Sequence, residues 1–257
     1  MRDMEKLKCC YICSDKGIYR QMNEDSYVYN KNTMSAGAER SEEAAGLAEG
    51  WNIFAVLDGM GGTSQGGTAS ALATVELSGI RDRVSNDTDR TDIDIIIRES
   101  FLRANNSIVS RTGYSGTTAT MLVTDGRHSK LYHLGDSRAY LIRQGSIFQL
   151  TKDQTVEEMK KDMGLSDRIM EADKHRLTEY LGADDSMHGI RPVESEWIQT
   201  SEGDRMVLCT DGLYEGCTLR EILDTVDNTE SERVASSLVD LALSRNVRDN
   251  VTCLYIC

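Results

Sequence analysis

Four short apolar segments follow one another between residues 116 and 150, and only tight turns separate them. The segments are 119–123, 130–134, 139–143 and 147–150. The turns contain Asp125-Gly126, Gly135-Asp136 and Gln144-Gly145, which are dipeptides typical of hairpins. Because parallel strands need a crossover of a dozen or more residues, these segments are predicted to form an antiparallel meander.

The other apolar segments divide into strand-like and helix-like patterns. Strands are predicted at 5–13, 25–29, 52–57, 205–209 and 251–256, and helices at 67–78, 92–111, 156–181 and 231–244. Thr218 and Glu221 have the spacing of a capping box that opens a further helix. Residues 31–50 show no clear period and are predicted to be a solvent-exposed excursion between strands. Clustered strands with helices between the clusters favour an α+β architecture, and no linker divides residues 1–257.

The charge balance limits the classes of partner. The chain has 42 acidic and 29 basic residues, which gives a formal net charge of -13. Such a balance argues against non-specific nucleic-acid binding and against attraction to anionic membranes, since both need a basic surface. The charged start of the sequence does not resemble a secretory signal, and no apolar run is long enough to span a bilayer. We therefore expect a cytoplasmic protein.

The cysteine pattern does not favour a disulfide framework, because seven cysteines cannot all be paired. Cys10 and Cys13 have the spacing of half a zinc site, with Cys253 and Cys257 near the other end. We interpret these residues as free thiols on buried strands. A structural zinc site remains the alternative, although the second pair has the wrong spacing for a zinc knuckle.

Acidic residues stand at the ends of the predicted strands or in the turns that follow. They are Glu24, Asp25, Asp58, Asp136, Asp211 and Asp249. Any single Asp-Gly pair is an ordinary turn, but side chains delivered to one rim of a sheet can converge, and glycine lets the backbone approach a ligand closely. Because Mg²⁺ and Mn²⁺ prefer oxygen ligands, the residues alone indicate a candidate metal site.

Six short motifs resemble, in order and spacing, those of the metal-dependent protein serine/threonine phosphatases (the PPM or type 2C family). They are Arg20 with Asn23-Glu24-Asp25, Asp58-Gly59-Met60-Gly61-Gly62, Gly116-Thr117-Thr118, Gly135-Asp136-Ser137-Arg138, Asp211-Gly212-Leu213 and Asp249-Asn250. The resemblance extends from about residue 15 to the end of the chain. Some members have a histidine at the position of Met60, whereas bacterial members commonly have methionine there, so the motif most resembles the bacterial form. The resemblance implies a four-layer α-β-β-α sandwich, in which two antiparallel sheets are flanked by helices.

The resemblance also implies a role for each acidic residue. Two ions, Mn²⁺ or Mg²⁺, would be held by Glu24, Asp58, the Gly59 carbonyl, Asp211 and Asp249, with Asp58 bridging both. Asp25 would act on this metal centre by orienting bound water, and Asp136 would bind a third, weaker ion. A water bridging the two metals would attack phosphorus in line, and Arg20 would bind the phosphate through its planar fork. The cysteines would not act as nucleophiles.

Other residues are expected to support the structure around the site or to select substrates. We expect Arg138 to pair with local carboxylates and His133 to be packed in the core. Residues 152–177 correspond to the family's flap beside the active site, a region that selects substrates. Bacterial members commonly oppose a serine/threonine kinase in signalling, so the expected partners are phosphorylated proteins, including such a kinase and its targets.

Two other functions are considered beside protein phosphatase activity. A phosphatase-like scaffold could bind partners without catalysis, but such proteins usually lose metal carboxylates that this sequence retains. A phosphomonoesterase acting on small metabolites would use the same carboxylate-rich chemistry. Hydrolysis of phosphoserine and phosphothreonine monoesters is the function that the motifs favour.

Overall fold

The computed structural model describes residues 7–34, 37–61, 65–113, 115–183 and 190–257. The strands are β1 (Cys9–Asp15), β2 (Ser26–Tyr29), β3 (Asn32–Thr33), β4 (Arg40–Gly46), β5 (Asn52–Leu57), β6 (Gly59–Met60), β7 (Gly116–Thr117), β8 (Ala119–Thr124), β9 (His128–Leu134), β10 (Arg138–Arg143), β11 (Ser146–Gln149), β12 (Val193–Glu194), β13 (Ile198–Gln199), β14 (Arg205–Cys209) and β15 (Val251–Ile256). The helices are α1 (Gln65–Ser78), α2 (Ile80–Arg83), α3 (Arg90–Thr112), α4 (Val156–Asp162), α5 (Asp211–Gly216), α6 (Leu219–Asn228) and α7 (Ser231–Ser244). Short 3₁₀ turns span Ser166–Arg168 and Glu171–Asp173.

The strands form two large antiparallel sheets. The first sheet has the order β11-β10-β14-β15-β1-β4, and the second has the order β12-β9-β8-β5-β2-β3 with β13 also paired to β9. The meander predicted over 116–150 is present, but its strands are divided between the sheets. Strands β8 and β9 pair in the second sheet, and β10 and β11 pair in the first. A separate short pair joins β6 to β7.

Three apolar layers fix the order of the elements. Strand β5 shows this most clearly, because its side chains alternate between two of the layers. Ile53 and Ala55 face the helices α1 and α3, whereas Phe54 packs against the other sheet. The third layer joins the first sheet to α5, α6 and α7. The arrangement confirms the predicted α-β-β-α sandwich and explains why β5 is a continuous apolar run, since both of its faces are covered.

Residues 31–50 were predicted to be a solvent-exposed excursion between strands; the described residues there are mostly exposed, but they contain two strands that were not predicted. Strand β4 pairs with β1 along its whole length, and the two-residue strand β3 pairs with β2. Most side chains of β4 are exposed, as its Glu42 and Glu43 require. An edge strand with a charged, solvated surface lacks the apolar alternation by which strands are recognised, and the charges protect the edge from pairing with other chains.

The helix predicted over 156–181 was largely wrong, because only α4 forms an α-helix there. Gly164, with a φ of 70°, ends the helical stretch after α4, and none of the residues of α4 is buried. Without an apolar face to pack, the rest of the segment follows short 3₁₀ turns instead. Helices α1, α3 and α7 match their predicted positions, and the capping box between Thr218 and Glu221 is present at the start of α6. Helices α2 and α5 were not predicted. The first strand was predicted from residue 5, but residues 5 and 6 lie outside the described residues.

The cysteine geometry excludes a shared zinc ion on Cys10 and Cys13. Both side chains are buried in β1, but Cys10 faces the layer between the sheets and Cys13 faces the layer under α7. Residues three apart on a strand point to opposite faces, so these two thiols cannot bind one ion. All seven cysteines are free thiols, as expected.

His133 is a buried core histidine, which confirms the prediction. It lies on β9, with Nε2 bonded to the Lys152 carbonyl at 3.2 Å and Nδ1 2.8 Å from the Thr120 hydroxyl. Burial lowers the pKa of its imidazole to about 4, although the bond to the Lys152 carbonyl opposes this shift. The folded protein therefore holds this ring neutral at pH values where the unfolded chain would protonate it.

We expect His133 to make the protein sensitive to acid. Because the folded pKa lies below the unfolded one, its contribution to stability is complete above about pH 6.5 and is lost as the pH falls towards 4. The loss should reach about 3 kcal/mol at most. Urea unfolding of the wild type and of His133→Gln at pH 4.5, 5.5, 6.5 and 7.5 measures this contribution. Parallel pH profiles for the two proteins would contradict it.

Candidate active site

A cavity of about 530 Å³ lies at the ends of the central strands. Six carboxylates line it, namely Glu24, Asp58, Asp136, Asp211, Glu215 and Asp249. Arg20, Arg248, His175, the Gly59 backbone and Met60 also border this cleft. The cleft thus brings together all the predicted site residues except Asp25. Gly62 of the second motif lies outside the described residues.

Asp58 is held at the end of β5 by its backbone. Its N–H donates to the Thr118 hydroxyl at 2.9 Å, and its carbonyl accepts from the Thr118 N–H at 2.9 Å. The Thr118 hydroxyl lies 2.7 Å from that of Ser137. Thr118 of the Gly-Thr-Thr motif therefore holds the Asp58 backbone directly, and Ser137 of the Gly-Asp-Ser-Arg motif supports Thr118.

Asn250 anchors the loop that carries Arg20 and Glu24. Its side-chain oxygen accepts from the Glu24 N–H at 2.8 Å, and its amide nitrogen donates to the carbonyls of Lys16 and Met22 at 2.7 and 3.0 Å. This buried amide thus brings the terminal Asp-Asn motif beside the first motif. Sequence reasoning gave Asn250 no role of its own.

Asp25 lies behind the cleft and does not line it. It is buried, and one of its carboxylate oxygens accepts from the hydroxyls of Thr210 and Thr252 at 2.8 and 2.7 Å. Burial raises the pKa of Asp25 to about 7, although these two hydrogen bonds lower it. An indirect role is the one compatible with this position, because the side chain is committed to the threonines on either side.

The carboxylates at the centre of the cleft are held in an unfavourable electrostatic environment. Burial raises the pKa of Asp58 and of Asp211 well above the usual range, and repulsion from neighbouring carboxylates adds to the effect. Burial also raises the pKa of Asp136 to about 6. The Oδ1 atom of Asp211 is buried and has no hydrogen-bond partner among the described residues. An all-oxygen donor set with unrelieved negative charge fits a hard divalent cation, which would offset the repulsion.

The two motif arginines differ in their partners. Arg20 lies half-exposed at the cleft, and its Nη2 donates to Asp249 at 2.5 Å. Burial alone would lower the pKa of Arg20, but the Asp249 carboxylate outweighs it and raises the pKa. Arg138 forms a two-point ion pair with Asp153, with contacts of 2.9 and 2.6 Å, and stacks 3.6 Å above the Tyr214 ring. The prediction that Arg138 pairs with local carboxylates is confirmed.

Sequence reasoning missed His175 and Glu215. Both line the cleft, and the His175 Nδ1 lies 3.6 Å from a Glu215 carboxylate oxygen. Glu215 stands four residues after Asp211 on α5, so its position on the same side as Asp211 was available from the helical spacing. His175 gave no comparable signal, because it lies in the irregular part of the 152–177 segment.

The comparisons with known proteins agree with this geometry. The model of the Protein phosphatase 2C family matches residues 15–160. The serine/threonine protein phosphatase PstP of Mycobacterium tuberculosis is 32% identical over 249 residues, which cover 93% of this chain and 43% of the relative. This chain therefore spans less than half the length of that relative.

Solved structures share the fold over nearly the whole chain. The Mycobacterium tuberculosis phosphatase PstP/Ppp superposes with a TM-score of 0.75 at 28% identity, covering 97% of this chain and 98% of that one. A structure of the PstP catalytic domain in complex with two manganese ions is 29% identical, with a TM-score of 0.75 and the same coverage of 97% and 98%. The chain with its motifs, its cleft and its sandwich belongs to the protein phosphatase 2C family.

Proposed function

We propose that this protein is a metal-dependent phosphatase that hydrolyses phosphoserine and phosphothreonine monoesters in other proteins. The observation that carries the proposal is the cleft itself, where six carboxylates and Arg20 converge at the ends of the strands. The names of the relatives support it, since PstP is called a serine/threonine protein phosphatase.

The donor set indicates which residues would hold the cations. Glu24, Asp58, Asp211, Asp249 and the Gly59 carbonyl would hold two ions of Mn²⁺ or Mg²⁺, and the two manganese ions of the PstP catalytic domain support this number. Asp136, which lines the same cleft, would contact a third. When bound, such ions activate water and offset charge on phosphoryl oxygens.

The chain itself contributes phosphate binding and rigidity. Arg20 offers a planar fork of donors that pairs with two phosphate oxygens at once. In the structure the Arg20 Nη2 donates to Asp249, which places the guanidinium beside the carboxylates of the cleft before substrate arrives. The backbone bonds from Thr118 to Asp58 and from Asn250 to Glu24 keep the carboxylates in place, which avoids reorganisation during reaction.

The substrates would be phosphorylated proteins, including a serine/threonine kinase and its targets in a bacterial signalling system. The strongly acidic chain is not suited to nucleic-acid substrates. No helix in the described part of the chain has the length and apolar character needed to cross a membrane. We propose that the protein acts in the cytoplasm. Residues 1–257 would form one catalytic domain.

Hydrolysis of a phosphothreonine peptide tests the proposal. Purified protein is assayed with Mn²⁺, with Mg²⁺ and with EDTA, beside an Asp211→Ala variant. We expect phosphate release with the metals, and loss of release with EDTA or with the substitution, because Asp211 is a central carboxylate of the cleft. Release from small aryl phosphates only would favour a small-molecule phosphomonoesterase. No release by folded protein with any metal would favour a binding scaffold.

We expect Arg20→Ala to lower kcat/KM by about 10- to 100-fold, because a charge-assisted hydrogen bond contributes about 1.5–3 kcal/mol. Arg20→Lys should restore activity only in part, since lysine keeps the charge but lacks the planar fork. Steady-state kinetics on the phosphothreonine peptide measure both effects. Arg220→Ala is the matched control, because Arg220 also pairs with a carboxylate but lies on the exposed surface of α6. Equal kinetics for Arg20→Ala and the control would exclude phosphate binding by Arg20.

A further inference from the structure

We propose that His175 joins Glu215 and Asp211 in a cation site that prefers a transition-metal ion such as Mn²⁺ to Mg²⁺. The ligand atoms of these three residues all lie within 4.8 Å of one another. All three residues line the cleft. The inference rests on the proposed function, because Asp211 also belongs to the carboxylates that would hold the catalytic ions.

The backbone directly after His175 is held by two hydrogen bonds, and the His175 side chain itself is largely exposed. The Val156 N–H donates to the Arg176 carbonyl at 2.9 Å, and the Thr178 N–H donates to the Gln154 carbonyl at 2.8 Å. These bonds pair the two ends of the 152–177 segment in antiparallel fashion on either side of its excursion. His175 directly precedes this paired backbone, and its side chain lies next to Glu215 of α5.

The two acids of the cluster lie one helical turn apart on α5. Like charges at this spacing repel each other. The Oδ1 of Asp211 is buried and has no hydrogen-bond partner among the described residues, so this oxygen is available to a cation. A divalent cation would relieve the repulsion and supply this partner.

A simple ion pair between His175 and Glu215 accounts for less of the geometry. Their separation of 3.6 Å exceeds the 2.7–2.9 Å of a strong charge-assisted hydrogen bond. Such a pair would also leave Asp211 outside the interaction, although its ligand oxygen lies within 4.8 Å of the ligand atoms of both. A bound cation satisfies all three side chains at once.

The histidine decides which cation the site would take. Imidazole nitrogen suits first-row transition metals, whereas Mg²⁺ prefers oxygen ligands in octahedral geometry. One imidazole with two carboxylates therefore favours Mn²⁺ over Mg²⁺. Because His175 comes from the 152–177 segment and the acids come from α5, an ion bound by all three would tie that segment to the floor of the cleft.

Electron paramagnetic resonance with Mn²⁺ as the probe tests the site directly. Pulsed spectra should show coupling of bound Mn²⁺ to a nitrogen nucleus in the wild type, and His175→Ala should remove it. The same variant should weaken the affected Mn²⁺ site about tenfold or more, since even indirect metal partners contribute that much. His128→Ala is the matched control, because His128 is a half-exposed histidine beside Asp125 and does not line the cleft. Its spectra should equal those of the wild type, and thermal melts should show both variants folded.

The outcomes separate this inference from the proposed function. Mn²⁺-dependent phosphate release without nitrogen coupling in the wild type, or with coupling unchanged in His175→Ala, would overturn the histidine site alone. No Mn²⁺ binding by the folded wild type would overturn both. Coupling lost in His175→Ala and kept in His128→Ala would establish the site.

Discussion

An Asp58→Asn variant should lose nearly all phosphatase activity, while its metal-free form should be more stable than the metal-free wild type. Asp58 lines the cleft, and the family resemblance assigns its carboxylate to both cations. Metal catalysis contributes several kcal/mol of transition-state stabilisation, so the loss should be about 1,000-fold or more in kcat. An asparagine keeps the shape of the side chain but removes the charge that attracts the cations.

The gain in stability has an electrostatic cause. Asp58 is partly buried, and its desolvation together with repulsion from Asp211, Asp25 and Asp249 raises the pKa of its carboxyl well above the usual range. A raised folded pKa means that the ionised carboxylate destabilises the metal-free fold at neutral pH, since the unfolded chain ionises freely. Bound cations reverse the balance, because they stabilise the wild type more than the variant.

Thermal melts at pH 7.5 check the reversal. The melting temperature of Asp58→Asn should exceed that of the wild type in EDTA and fall below it in saturating Mn²⁺. Asp87→Asn is the control, because Asp87 is an exposed loop residue outside the cleft, and it should follow the wild type in both conditions. A variant that is less stable than the wild type in EDTA would refute the electrostatic argument.

The elements that could be predicted from the sequence are those whose burial leaves a pattern. Strand β5 and helix α3 contribute runs or regularly spaced apolar residues to the core, so their types and positions were predictable. Strand β4 escaped prediction because it is an exposed edge strand, whose pairing depends on the backbone of β1 and not on its own side chains. Periodic apolar patterns in a sequence indicate which side chains are buried, and an exposed edge strand buries few of them.

The site was predictable as far as its residues lie at strand ends. Asp58 and Asp211 directly follow buried strands or begin the next element, so the fold itself delivers them to one rim. The approach of His175 to Glu215 depends on the path of the irregular 152–177 segment, which no periodicity encodes. Asn250 also escaped notice, because its effect comes from a buried amide that joins loops distant in sequence.

The backbone around Gly59 is packed so closely that a side chain there should strongly destabilise the protein. A β-carbon at Gly59 would lie 2.3 Å from the Gly66 carbonyl oxygen and 2.6 Å from the Glu24 carbonyl oxygen. Both obstacles are backbone atoms, and Glu24 is itself anchored by Asn250. Neither can move without displacing the start of α1 or the loop that carries the first motif.

We therefore expect Gly59→Ala to destabilise the fold by about 3 kcal/mol or more, since overpacking of fixed atoms costs at least about 1–3 kcal/mol. The shift would also displace the Gly59 carbonyl from the cleft, so Mn²⁺-dependent activity should fall even where the variant remains folded. Gly46→Ala is the control, because a β-carbon there meets only the Lys8 carbonyl oxygen at 3.9 Å, and its stability should change by about 0.5 kcal/mol or less. Urea unfolding and the phosphothreonine assay measure the two effects. If Gly59→Ala and Gly46→Ala unfolded at the same urea concentration, the backbone at Gly59 would have to be more yielding than this packing allows.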